Sequence, residues 1–159
     1  MRKLKIYLET SVWNFYFADD SPENRDITIE FFDSLAKGSY EIFISEVVLR
    51  EIALAPEPKR KQLVDLVTRF SPKELEVTVD AEHLAEIYIE KGLVPQRKVE
   101  DALHVAVACV GEMDAVISWN YRHLANIRKS ERFYSVNLEF GYTRLMQIVT
   151  PTGVMNDEN

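Results

Sequence analysis

The sequence has one cysteine, five glycines and six prolines among its 159 residues. A single cysteine makes no internal disulfide. Cys109 shares the helically spaced apolar stripe Ala102, Val105, Ala106 and Cys109, which suits a small buried hydrophobe better than a catalytic thiol. So little glycine and proline, beside 28% charged residues, excludes a low-complexity or disordered chain. No apolar run approaches the roughly 20 residues of a membrane-spanning helix. The start, Met1-Arg2-Lys3-Leu4, runs into an alternating strand pattern and Glu9 instead of the apolar stretch of a signal peptide. A cytoplasmic protein with no membrane partner is expected. Missing too are a Gly-x-x-x-x-Gly-Lys loop, a Gly-x-Gly-x-x-Gly loop, a Gly-x-Ser-x-Gly elbow and any Cys/His zinc spacing. Phosphate cradles, hydride transfer, serine hydrolysis and structural zinc lose their support. Positive charge is in deficit as well: 19 Lys and Arg against 26 Asp and Glu leave −7. A broad, non-specific nucleic-acid face would be basic, so that class is disfavoured. A small nuclease site, where acids hold a metal, is not. Local basic runs, Lys59-Arg60-Lys61 and Arg128-Lys129 with Arg132, suit a nucleic-acid contact or an ordinary solvated face.

What is present is apolar residue in quantity, 47% of the chain, enough for the core of one compact domain. The pattern predicts that domain over residues 1–150 and a polar, disordered tail over 151–159. Strands are expected at 4–8, 40–44, 75–79, 115–118 and 145–149. Between them the apolar spacing predicts helices. One is opened by Asp20 as N-cap with Pro22 and Glu23, and stopped by Gly38. Another is capped by Ser45 and broken by Pro56, and a third spans 59–70. A fourth is capped by Asp80 and ended by Gly92, a fifth runs 97–110, and a sixth bears Phe133, Val136 and Phe140. Strands alternating with helices predict an α/β fold, three layers with a central, mostly parallel sheet.

Three carboxylates stand out against that frame. Glu9 ends the run Leu4-Lys5-Ile6-Tyr7-Leu8. Glu51 lies on the helix that follows Ile42-Phe43-Ile44-Ser45. Asp101 sits near the start of the helix leading into Ala115-Val116-Ile117-Ser118. Groups beyond the carboxyl ends of parallel strands converge on one crevice. Three acids there suit a Mg²⁺ or Mn²⁺ site, because these hard cations take oxygen ligands. A two-ion cluster, its ions about 3.5–4 Å apart, activates water and stabilises a leaving oxygen without a protein nucleophile. Each acid taken singly also has an ordinary reading: a strand end, a helix-dipole partner, an exposed helix residue. The hydroxyls of Thr10 and Ser11 suit a turn facing phosphate. His104, one helical turn after Asp101, suits either orienting a carboxylate, touching substrate or packing in the helix; His83 suits the surface; His123 borders the same crevice. The aromatic segment 12–17 fits a core or an interface.

The sequences Tyr7-Leu8-Glu9-Thr10-Ser11, Val47-Val48-Leu49-Arg50-Glu51-Ile52, Glu100-Asp101-Ala102-Leu103-His104-Val105-Ala106 and Ile117-Ser118-Trp119-Asn120 resemble, in order and spacing, the four motifs of PIN domains, especially the VapC-type toxins. The resemblance implies a parallel sheet flanked by helices and a ribonuclease that uses Mg²⁺ or Mn²⁺ to activate water against RNA phosphodiester bonds. It also implies a homodimer and an antitoxin partner. It makes Glu9, Glu51, Asp101 and Asn120 the catalytic set, with the first three as metal ligands and Thr10, Ser118, His104 and His123 as substrate contacts. Two positions depart from the pattern. Glu9 stands where the family has Asp, and Asn120 where it has a further acid. Those departures suggest, as the second reading after the nuclease, a degenerate domain that binds RNA or protein without cutting. A phosphate-accepting signalling receiver would need an aspartate after the third strand and a lysine after the fifth; Asp80 reads instead as a helix cap.

Overall fold

A computed structural model of the chain describes residues 2–157. Five strands form one sheet: β1 (Leu4–Leu8), β2 (Tyr40–Ser45), β3 (Lys73–Leu75), β4 (Ala115–Ile117) and β5 (Gln147–Val149). Their order is β3-β2-β1-β4-β5, every pairing is parallel, and helices flank the sheet, as the strand–helix alternation predicts. β1 is the middle strand, and its Ile6, Tyr7 and Leu8 are buried. The chain first builds outward from β1 to β2 and β3, then returns to add β4 and β5 on the other side. The order therefore reverses between β1 and β4, and the carboxyl ends of those strands frame the crevice of a parallel sheet.

The helices follow local chemistry. α2 (Pro22–Leu35) opens with proline in its first turn and is followed by Gly38 at φ +81°, which a side chain would strain. α3 (Glu46–Ala53) is capped by Ser45, whose Oγ accepts the Val47 N–H at 3.2 Å. α4 (Lys59–Phe70) and α6 (Val99–Val110) fall where expected, α6 preceded by a 3-10 turn at Gln96–Lys98. α7 (Ile127–Glu139) presents Phe133 and Val136 to the core.

Five expectations are corrected. The turn expected at Thr10 and Ser11 is instead the start of a helix, α1 (Thr10–Phe15), whose Val12 and Trp13 are fully buried. The third strand is Lys73–Leu75 and stops there because its partner β2 ends at Ser45, opposite Leu75; the chain then reaches Thr78. That residue, not Asp80, caps α5 (Val79–Glu90), its Oγ1 accepting from Ala81 N at 3.1 Å. At α2 the residue before the helix is Ser21, with Asp20 one position farther out. The tail expected to be disordered is a helix, α8 (Pro151–Asp157), packed against α2. Its polar composition hid two anchors: Thr150 Oγ1 accepts the Gly153 N–H at 3.2 Å, and Val154 is buried. Residues 158 and 159 lie outside the described residues. No helix among the described residues is long and apolar enough to cross a membrane.

Candidate active site

Glu9 leaves the carboxyl end of β1, where its backbone N–H donates to Ile117 O of β4 at 3.0 Å, and immediately precedes α1. Glu51 is carried in on α3, and Asp101 on the first turn of α6. Asn120 follows β4 across the reversal of strand order. Glu9 is 6% exposed, and Glu51 and Asp101 are half-buried.

Hydroxyls fix both glutamates. Ser11 Oγ donates to Glu9 Oε1 at 2.5 Å and accepts the Trp119 N–H at 2.9 Å. Ser118 Oγ donates to the same carboxylate oxygen at 2.7 Å and accepts the Asn120 N–H at 3.0 Å. The β4 end and the start of α1 are thus laced together through Glu9. Thr10 Oγ1 donates to Glu51 Oε1 at 2.7 Å, and His104 Nε2 meets the same oxygen at 2.5 Å. His104 is fully buried, and its other nitrogen, Nδ1, lies 2.7 Å from the Tyr7 hydroxyl, itself 2.7 Å from Ser45 Oγ. With Nε2 facing a carboxylate, the proton belongs there, and Tyr7 can donate to Nδ1 or accept from it. The imidazole orients Glu51; it does not reach the surface.

One ligand atom each from Glu9, Glu51 and His104 lie within 4.8 Å of one another. His104 Nε2 is 3.9 Å from Glu9 Oε2. Asp101 stands outside this triad but within electrostatic reach of all three members. Burial and then the Glu9 charge push its pKa up, as crowded acids require. Burial opposes ionisation of Glu51, but the His104 hydrogen bond and charge and the Thr10 hydroxyl outweigh it and hold its pKa low. For His104 burial favours the neutral ring, and the Glu51 bond with the charges of Glu9, Glu51 and Asp101 reverse that and raise its pKa. The donor set fits a divalent cation: pre-oriented carboxylates suit Mg²⁺ or Mn²⁺, and the charges of His104 and Lys98 do not offset the burial and like charge that raise the Asp101 pKa.

The expected fourth member behaves differently. Asn120 Oδ1 accepts the His123 N–H at 3.1 Å, which leaves Nδ2 to point at Asp101 Oδ2 at 3.4 Å. Its amide supplies a donor to the acid, not an oxygen to a cation. Thr10, Ser118 and His104, expected to touch substrate, are buried and engaged with the glutamates. His123 is half-exposed, its pKa lowered by burial and by Arg122, Lys129, Lys98 and Arg97 around it. Sequence alone placed Ser11 toward a phosphate, not on Glu9, and gave Tyr7 and Ser45 no part in the site. Ser11 had a signal, since it follows Glu9 by two residues; a tyrosine inside a strand had none.

The overall structure is similar to a chain in the crystal structure of VapBC2 from Rickettsia felis bound to a DNA fragment from their promoter. The TM-score is 0.58 at 15% identity, covering 92% of this chain and 98% of that one. No curated protein matches the sequence. The PIN domain profile matches residues 6–129, which span the whole constellation from β1 to the start of α7, and the chain belongs to the PIN domain family.

Proposed function

We propose that the chain is a metal-dependent endoribonuclease of the VapC toxin type that hydrolyses RNA phosphodiester bonds at the Glu9–Glu51–Asp101 crevice. The observation that carries this reading is the convergence of hydroxyl-fixed Glu9 and Glu51 on an Asp101 that lies within reach of both their charges and whose ionisation burial and Glu9 disfavour. PIN domains are typically divalent-metal proteins, and Glu9, Glu51 and Asp101 would be the ligands here. A bound divalent ion supplies the charge that polarises the phosphodiester and the acidity that makes water a nucleophile at neutral pH. The chain's own part is positional. Ser11 and Ser118 hold Glu9, and Thr10 and His104 hold Glu51, so neither carboxylate must reorganise as charge develops. Asn120 steadies Asp101 through its amide N–H.

The domain is expected to work as a homodimer under an antitoxin. One similar solved structure is a VapBC2 complex, and this chain leaves Leu49, Leu54 and Val64 exposed on α3, the turn after it and α4. A second reading, a non-catalytic RNA- or protein-binding module, is favoured by Asn120, which brings no charge. One assay separates the two: cleavage of a mixed RNA pool by wild type, Asp101→Asn and Asn120→Asp with Mg²⁺, with Mn²⁺ and with chelator. Wild type should cut with either metal and stop with chelator. Asp101→Asn should fall by about a hundred-fold or more, and Asn120→Asp should cut faster or at lower metal. Silence of all three across metals and substrates would leave the binding module standing.

A further inference from the structure

The crevice has a positively charged neighbour that the metal chemistry does not use. Arg97 and Lys98 are exposed in the 3-10 turn ahead of α6, and Tyr121 and Arg122 are exposed in the loop after β4. The two segments meet at the site. Asn120 ties the loop to Asp101, and Lys129 Nζ reaches back to Leu93 O at 2.6 Å. Asn126 Nδ2 donates to Tyr121 O at 2.7 Å and Arg122 O at 3.3 Å, so the loop backbone is held while its side chains face outward. Arg97, Lys98, Arg122 and Lys129 all lie close enough to His123 for their charges to act on it, and Lys98 acts on Asp101 as well. Among the described residues none of these four cations forms an ion pair. Like charges gathered without counter-ions in an acidic protein repel one another, an arrangement that an anion relieves. Beside them Tyr121 is 63% exposed, an aromatic face free to stack.

We propose that Arg97, Lys98, Tyr121 and Arg122 form the bed on which single-stranded RNA lies beside the acid crevice, the cations taking backbone phosphates and Tyr121 stacking a base. Phosphate contacts give register without sequence, and a stacked base fixes which nucleotide reaches the acids. The bed answers a problem set by the site itself. Glu9, Glu51 and Asp101 repel a polyanion, and the neighbouring cations offset that repulsion where the strand enters. A single-stranded substrate follows from Tyr121, since a base inside a duplex has no free face to offer it.

The proposal rests on the ribonuclease reading, and its test is made on binding so that the two can fail separately. A fluorescein-labelled 12-nucleotide RNA without secondary structure is titrated with full-length protein in chelator, where cleavage cannot occur, and followed by anisotropy at several salt concentrations. Arg122→Ala and Lys98→Ala should each weaken binding several-fold and lower the salt slope by about 0.7. Tyr121→Ala should weaken it by about five-fold or more with the slope unchanged. Lys61→Ala, an exposed cation of the other basic run, should bind as wild type does, and all four variants should keep the wild-type melting temperature. Equal weakening by Lys61→Ala would mean diffuse charge and would overturn the bed. So would wild-type RNA binding in all of the variants, or a preference of these cations for a polyglutamate peptide over RNA. Bed-dependent binding with no cleavage in any metal would keep the bed and sink the nuclease; cleavage with bed-independent binding would do the reverse.

Discussion

Tyr7 is a residue whose function lies one contact away from the chemistry. Its ring is buried in the middle strand, and its hydroxyl joins Ser45 to His104, the imidazole that holds Glu51. Burial pushes the pKa of that hydroxyl far above its ordinary value, so it stays a neutral donor and acceptor at any working pH. Tyr7→Phe keeps the ring and removes the bridge, leaving Nδ1 of a buried imidazole without its partner. The expected loss is about 1–3 kcal/mol in denaturant unfolding, the usual penalty of an orphaned buried polar atom. A purely structural role would end there. If the bridge orients Glu51, Mn²⁺ affinity should also fall, by about ten-fold, the low end for groups that support a ligand. Unchanged Mn²⁺ binding in a folded Tyr7→Phe protein would reduce the tyrosine to packing.

Between elements, the most exposed test of the fold is the clamp at the amino ends of β1 and β4. Asp114 precedes β4; its carboxylate accepts from Arg2 at 2.8 and 2.9 Å, from the Lys5 N–H at 2.8 Å and from Arg144 at 3.0 Å. It thereby ties the chain before β1, β1 itself and the segment before β5 to one residue. The Arg2 hydrogen bond leads in holding its pKa well below the carboxylate range, against a smaller opposing effect of burial. A depressed carboxylate stabilises the folded state above its ordinary value of 3.8 and loses that contribution as pH falls through its folded value. Asp114→Asn should therefore unfold more easily than wild type at neutral pH, by about 1–2 kcal/mol for charge-assisted bonds at a partly solvated site. The two stability curves should converge as pH drops below 3.8, and a constant gap down to the acid transition would contradict the assignment.

The same comparison of elements explains what the sequence made legible. β1, β2 and β4 were readable because buried strands are short apolar runs, and the three acids were readable because each stands just past such a run or at the head of the helix before it. α8 was not, since its polar surface masks a single buried valine, and α1 was hidden because an aromatic run has no unique period. The hydroxyls of Ser118 and Thr10 were visible as types but not as partners. Their targets, Glu9 and Glu51, lie 109 and 41 residues away in sequence. The Tyr7–His104 contact spans 97 residues, and nothing local to either residue announces it.

At the scale of the whole molecule, the fold gives up stability at Asp101, where burial and the Glu9 charge oppose ionisation. The reversal of strand order brings Glu9, Glu51 and Asp101 together at the centre of a chain already carrying a net charge of −7. Among the described residues His104 is the one basic side chain hydrogen-bonded to any of them, and its partner is Glu51. Among the described residues every buried side-chain polar atom has a partner, so the tension is one of charge and not of missing hydrogen bonds. Proteins keep such tension where a ligand will relieve it. The consequence is a reversal of rank between two proteins that differ by one atom. In chelator Asp101→Asn should melt above wild type, because it removes one of the repelling charges at constant size and still bonds Asn120. With Mn²⁺ present wild type should overtake it, since binding to the folded state adds RT ln(1 + [L]/Kd), about 2.7 kcal/mol at a hundred-fold excess over Kd, and the amide binds the ion less well. Differential scanning calorimetry of both proteins with chelator and across a Mn²⁺ series decides it. If wild type melts higher under every condition, the three carboxylates are not mutually repelling; if Asp101→Asn gains as much from Mn²⁺ as wild type does, Asp101 is no ligand.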